Sequence, residues 1–352
     1  MKAYQITSWG GPLEENEVAM PEPKGHEVLV KITACGICHS DIHIWDGYFD
    51  LGGGNKIDLP NQRGLKLPFT LGHEPVGEVV AIGDQVQQAN IGQHAVVYPW
   101  IGCGSCHHCT DGEELLCAAP RTVGTRIPGG YAEYLLVPHE KYLVSHDGVP
   151  KEVAATAACS GITAYSALKK LREYGSDATI LLIGAGGVGL SGVGMAKAVT
   201  GAHIVVADMD PAKRAIALEH GADEVIDNTD PDAVTALIEK TQGGVQGVVD
   251  FVGAPATTKF GFSVLAKGGK HVVVGLYGGS VELSTPLFPL KVNTIQGSYV
   301  GTKQDLVELL DLIRQGKVKT VPVEPRHLSE APQAIQDLRD GKAKGRYVLV
   351  TE

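Results

Sequence analysis

Seven cysteines occur in the 352 residues, and four of them crowd one short stretch. Cys103, Cys106, Cys109 and Cys117 follow one another as C-x2-C-x2-C-x7-C, with Gly104 between the first two. Four thiolates at this spacing can surround one tetrahedral ion and leave no position open, which is the coordination of structural zinc. His107 and His108 lie inside the cluster and read as bystanders. The remaining ligand types are dispersed. Cys38-His39-Ser40-Asp41-Ile42-His43 comes early, Gly72-His73-Glu74 follows, and Cys159 stands alone near the middle of the chain. Taken singly, a buried Cys is a small hydrophobe and a lone His a satisfied polar residue. Spacing alone does not bring these residues together, and Cys35 reads as packing.

A second kind of chemistry is written in Gly184-Ala185-Gly186-Gly187-Val188-Gly189. This G-x-G-x-x-G directly follows the apolar run Thr179–Ile183 and opens a helix. In that context the backbone N–H groups of a helix N-terminus can face a pyrophosphate. The next apolar run, His203–Ala207, ends at Asp208. An acid there accepts hydrogen bonds from the adenosine ribose and repels a 2′-phosphate. Met209 and Asp210 follow it rather than Arg, so NAD is favoured over NADP.

These residues need a scaffold. Up to about residue 150 the chain reads as β-rich, with short runs such as Val28–Ile32, Val76–Val80 and Ala95–Val97 split by turn residues. From about residue 151 strands alternate with helices: strand Thr179–Ile183, helix 188–199, strand His203–Ala207, helix 211–220, strand Glu224–Ile226 and helix 231–241. Val248–Phe251 and His271–Val274 continue the series, which predicts a doubly wound parallel sheet. A helix over Asp305–Gln315 and a strand over Tyr347–Val350 are expected to return to the first domain. The formal net charge of −10 argues against nucleic acid or an anionic membrane surface as a partner. No run of 18 apolar residues exists, and Met1–Thr7 lacks an apolar signal core, so a cytoplasmic protein is expected.

In this order, the motifs resemble those of the medium-chain zinc-dependent alcohol dehydrogenases over essentially the whole chain, and are most similar to the bacterial and archaeal homotetrameric members. The match runs through Cys-His-Ser-Asp at 38–41, Gly-His-Glu at 72–74, the four-cysteine lobe, Cys-Ser-Gly-Ile-Thr at 159–163, the glycine motif and Asp208. The resemblance implies an α/β architecture. Residues 1–155 would form a GroES-like catalytic domain with the zinc lobe at 100–120, and residues 156–298 a Rossmann domain for NAD. Residues 299–352 would return to the catalytic domain. It also implies two zinc ions per subunit, with Cys38, His73 and Cys159 holding the catalytic one and leaving its fourth position open. By the same match Asp41 orients His73, Glu74 approaches the metal, Ser40 bonds the alcohol oxygen and His43 ends a proton relay. His39 and Arg346 match pyrophosphate contacts, Thr163 and Lys213 match ribose or nicotinamide-side contacts, and Trp100 aligns with an aromatic of the substrate pocket. The implied activity is hydride transfer between a primary or secondary alcohol and NAD, the aldehyde or ketone being the other partner.

Residues 46–66 depart from the shorter members and read as a long polar loop. For Trp100, core packing ahead of the zinc lobe is an equal alternative. A zinc-free quinone or enoyl reductase would share the fold but lack both thiol sets. A zinc-ribbon scaffold protein would explain the lobe but not the glycine motif. Zinc content per subunit separates the three: two ions, none, or one.

Overall fold

The computed structural model describes residues 1–343 and 345–351. Its first half is built on a seven-stranded sheet. Along one path the order is Leu143–Val144, His94–Val97, Pro75–Ile82, Val28–Gly36, Arg346–Val350 and Val323–His327, and Tyr134–Val137 pairs with Val28–Gly36. The strand Val28–Gly36 is buried except at Lys31 and Thr33, as a nearly continuous apolar run demands. Two irregularities in its pairing with Pro75–Ile82 bend it.

Register decides what meets at the end of this sheet. Cys35 lies opposite Pro75, and Gly36 lies opposite Val348. The turn through Cys38, the residues His73-Glu74 just before Pro75, and Arg346 at the start of its strand therefore converge. A smaller sheet of Leu13–Glu17, Lys2–Ile6 and Phe69–Thr70 completes this part.

The second sheet has six parallel strands in the order Glu224–Ile226, His203–Ala207, Thr179–Ile183, Val245–Asp250, Leu265–Val273 and Thr294–Gly297. Strand order reverses beside Thr179–Ile183, which puts the switch-point crevice at the glycine motif. Gly187–Thr200, Pro211–His220 and Ala233–Lys240 form crossover helices. Lys303–Arg314 begins at a capping box of Thr302 and Asp305 and buries Leu306, Leu309 and Leu310 on one face. Each such leucine contributes roughly 2 kcal/mol of burial. Between the two sheets, helices Lys151–Thr156 and Ile162–Lys169 are joined by a π-helical turn over Ala157–Gly161. Among the described residues no helix is long and apolar enough to cross a membrane.

The expected loop over 46–66 is corrected. Tyr48–Gly52 and Asn55–Asp58 pair as a hairpin, and Leu59–Arg63 forms a short helix started by Asp58, which accepts from the Asn61 amide. Most of the hairpin's side chains are at least partly exposed, so its sequence lacks the alternation of a half-buried strand. The hairpin reaches the nucleotide-domain side: a Cβ on Gly52 would lie 2.3 Å from the Gly279 Cα.

Candidate metal centres and dinucleotide cleft

Cys38 is the N-cap of helix His39–Asp46, His73 precedes the strand Pro75–Ile82, and Cys159 sits in the π-helical turn. The structure brings the three together with Glu74, their ligand atoms lying within 4.8 Å of one another and all four residues buried. Zinc–sulfur bonds of about 2.3 Å at tetrahedral angles set neighbouring sulfurs roughly 3.8 Å apart. The Sγ atoms of Cys38 and Cys159 are 3.9 Å apart. His73 is fully buried, its Nδ1 2.9 Å from Asp41 Oδ1, while Nε2 has no partner. An orphaned imidazole nitrogen beside two thiols is the donor set zinc requires, so the residues fit the ion.

The electrostatics agree. A hydrogen bond from Cys159 holds the Cys38 thiol well below its usual range, and the same contact pushes Cys159 up. Burial opposes charge on His73, but the Asp41 carboxylate and then the Cys38 sulfur together outweigh it and hold the ring well above the ordinary imidazole range. Asp41 is itself fully buried and accepts three hydrogen bonds, from His73, the Cys38 amide and the Tyr131 hydroxyl, each 2.9 Å. Tyr131 was not legible as part of the site. It can lie there because Gly72, at φ 98°, has no Cβ; one would come 2.4 Å from the tyrosine ring.

Burial pushes the Glu74 carboxyl up to about 7, against the pull of Arg346. Arg346 Nη2 lies 2.6 Å from Glu74 Oε2 and 3.0 Å from the Ile37 carbonyl. The side chain expected at the pyrophosphate is thus spent on Glu74 at its tip. Its stem still borders the glycine turn, its Cδ 3.0 Å from where a Gly187 Cβ would stand. Arg346 therefore physically joins the metal-type centre to the dinucleotide turn.

The lobe brings its four cysteines together as the spacing predicted. Sulfur separations are 3.9 Å for Cys103–Cys109, 3.5 Å for Cys106–Cys109 and 3.7 Å for Cys106–Cys117. The amides of Cys103 and Cys106 donate to the sulfurs of Cys117 and Cys103, as thiolates would attract them. Four sulfurs closing on one point fit a second zinc. His107 and His108 turn outward to Asp111 and Glu113. Glu114 anchors the lobe, accepting from the Gly102 amide, Lys141 and the Tyr142 hydroxyl, each at 2.7 Å.

In the nucleotide domain Gly184 turns the chain out of the strand and helix Gly187–Thr200 begins two residues after Ala185. A Cβ on Gly189 would sit 1.8 Å from the Gly184 carbonyl oxygen, so only glycine lets helix and strand approach this closely. Around Gly186 there is open space, and the first amides of the helix have no intrahelical acceptor. Asp208 is buried at the tip of the neighbouring strand, accepting from the Ala185 and Asp210 amides at 2.8 and 2.9 Å. Arg214, which no sequence motif marks, reaches the Asp208 carbonyl but is paired with Asp227 at 3.0 Å.

Ser40 and His43 stand three apart on helix His39–Asp46 and so share a face. The His43 ring is 5.0 Å from that of Phe49 in the hairpin, and burial, then His39, lowers its pKa. His39 is exposed at the start of that helix, Thr163 is buried in Ile162–Lys169, and Lys213 is exposed in the first turn after Asp208. Trp100 is buried with its ring 5.5 Å from His73 and 5.8 Å from Tyr299, and Nε1 donates to the Ala158 carbonyl at 3.0 Å. It packs and borders the site at once.

Comparison with known proteins agrees with this architecture. The family model for the alcohol dehydrogenase GroES-like domain matches residues 24–148, and that for zinc-binding dehydrogenases matches residues 187–315. An NAD-dependent alcohol dehydrogenase of Sulfurisphaera tokodaii is 40% identical over 99% of this chain and 100% of its own. One from Saccharolobus solfataricus is 39% identical with the same coverage. The crystal structure of the alcohol dehydrogenase of Aeropyrum pernix superposes with a TM-score of 0.87 at 31% identity, covering 99% of this chain and 100% of that one. With both sulfur-rich centres, the glycine turn and full-length likeness in hand, the chain belongs to the medium-chain zinc-dependent alcohol dehydrogenase family.

Proposed function

We propose that the cleft between the two sheets oxidises a primary or secondary alcohol to its aldehyde or ketone with NAD, or runs the reverse reaction. The observation that carries this reading is the meeting of Cys38, Cys159 and the unpartnered His73 Nε2 beside an arginine that borders the dinucleotide turn. Zinc in that centre supplies Lewis acidity toward the alcohol oxygen, and NAD supplies the hydride acceptor. Cys38, His73 and Cys159 are the metal ligands in this reading. Asp41 keeps the proton on His73 Nδ1 so that Nε2 offers a lone pair. Ser40 takes the alcohol proton and His43 delivers it outward; with its pKa lowered, His43 is neutral and able to accept at pH 7. Trp100 and Phe49 form walls of the substrate space, and Glu74 serves as a fourth-ligand neighbour held by Arg346.

For the cofactor, the amides from Gly186 to Gly189 receive the pyrophosphate and Asp208 the adenosine ribose. His39, Thr163 and Lys213 are its further contacts, and Arg346, its guanidinium held by Glu74, lines the turn with its stem. Cys103, Cys106, Cys109 and Cys117 hold a second, structural zinc, giving two ions per subunit. In the same reading the domains divide at about 155 and 298, with residues 299–352 returning to the first, a division that the separation into two sheets supports.

The protein is proposed to be a cytoplasmic homotetramer, since reduced thiols are needed at both centres. The open strand Thr294–Gly297 ends the six-stranded sheet amid exposed Tyr277, Leu290, Val292 and Tyr299, an apolar edge suited to continuing across a two-fold axis. A monomer in light scattering at micromolar concentration would sink that assembly. The function is tested by following NADH absorbance with aliphatic, benzylic and secondary alcohols; no alcohol-dependent signal from zinc-loaded protein would refute it.

A further inference from the structure

Outside the cleft, three loops of the first half meet around Glu140. His26 precedes the strand Val28–Gly36, Gln87 follows Pro75–Ile82, and His139 caps the short turn Glu140–Tyr142. The rings of His26 and His139 are stacked in parallel, centroids 4.5 Å apart and planes within 2°. Their Nδ1 atoms lie 3.5 Å and 3.1 Å from the same carboxylate oxygen, Glu140 Oε2.

Glu140 is the unusual member. Its side chain is 5% exposed, although both imidazoles keep an edge in solvent. The other oxygen, Oε1, accepts from the Gln87 amide at 3.3 Å. Oε2 receives no hydrogen bond. Nor can His139 supply one as it stands, because its Nδ1 already accepts the Lys141 amide at 3.1 Å and so offers a lone pair. A lone pair and a buried carboxylate oxygen facing each other at hydrogen-bond distance repel unless something positive stands between them.

We propose that His26, His139 and Glu140 form a third metal site, two imidazole nitrogens and one carboxylate oxygen, that binds a first-row divalent cation such as zinc, cobalt or nickel. The ligand atoms already lie within 4.8 Å of one another, and borderline nitrogen donors suit these ions rather than magnesium or calcium. Water completes the shell on the exposed side. Lone pairs lie in the ring planes, so ligation tilts the half-exposed His26 ring out of the parallel stack, takes the His139 lone pair and leaves the exposed Lys141 amide to water. Lys141 and Tyr142, the next two residues, are those that hold Glu114 in the four-cysteine lobe. An ion here therefore pins three loops and steadies the lobe, while alcohol turnover is not touched.

The experiment uses untagged, zinc-loaded protein in equilibrium dialysis against Ni2+, with bound metals counted by mass spectrometry. Wild type is expected to take up one Ni2+ per subunit beyond its thiolate-held zinc and to melt at a higher temperature with the ion present. His26→Ala, at a half-exposed position, is expected to fold and turn over alcohol normally, yet to bind that ion more than about tenfold more weakly and lose the melting shift. Glu140→Gln is expected to lose the ion as well. A variant with both His107 and His108 changed to Ala should keep it. No extra ion in wild type, undiminished uptake in His26→Ala, or loss of the ion in the His107/His108 variant would each overturn the proposal.

Discussion

Asp41→Asn is nearly isosteric, yet the structure leaves it no good orientation. The native carboxylate accepts from the Cys38 amide and Tyr131 on Oδ2 and from His73 on Oδ1, all at 2.9 Å and fully buried. If the amide oxygen faces His73, the NH2 group faces the Cys38 N–H. Tyr131 can rotate its hydroxyl and accept, but the Cys38 donor is stranded, which costs about 1–3 kcal/mol. If instead the NH2 group faces His73, Nδ1 must accept and the proton moves to Nε2, the atom that should bind the metal. Disrupting such a partner typically weakens metal affinity about 10–100-fold, or roughly 1.4–2.7 kcal/mol at 1.36 kcal/mol per decade. Transfer of the catalytic ion to a chromogenic chelator and unfolding in urea read the two losses separately. Tyr131→Phe, which removes one donor and keeps the charge, should lose less than Asp41→Asn in both. An Asp41→Asn protein with zinc retention within about twofold of wild type and an unchanged unfolding midpoint would refute the reasoning.

Cys106→Ala breaks the closed sulfur set and should lower stability by several kcal/mol while leaving the chemical step of folded protein near wild type; calorimetry and single-turnover kinetics check it. Asp208→Ala should weaken NAD binding and narrow its advantage over NADP, since a ribose acceptor and a 2′-phosphate repeller vanish together; a wild type that already prefers NADP contradicts this. His43→Ala should slow alcohol oxidation about tenfold near neutrality. Because burial lowers the His43 pKa, its accepting form is present above that value and lost as pH falls through it. The defect should shrink at alkaline pH, where hydroxide substitutes; a constant ratio from about pH 6 to about pH 10 would leave His43 structural.

The parallel sheet was legible because buried strands such as Thr179–Ile183 read as unbroken apolar runs, and helix bounds differ by only a residue or two: 188–199 against Gly187–Thr200. The four-cysteine lobe was equally plain, since its ligands are local. Cys38, His73 and Cys159 were not assembled by pattern. Their meeting depends on strand register and on a π-helical turn, neither of which has a composition signal, so only the family resemblance pointed to it. Tyr131 escaped notice for the same reason, as did the turning of Arg346 onto Glu74. The hairpin over 48–58 hid because exposed strands carry no alternating pattern.

The central claim is that the Cys38–His73–Cys159 centre carries out NAD-linked alcohol oxidation. The most direct measurement is alcohol-dependent NADH formation by wild type and by Cys38→Ala, each first shown by its melting curve and zinc content to keep the fold and the lobe ion. The account predicts NADH from wild type and none above background from Cys38→Ala. Turnover by the folded Cys38→Ala protein at a rate near wild type would contradict it.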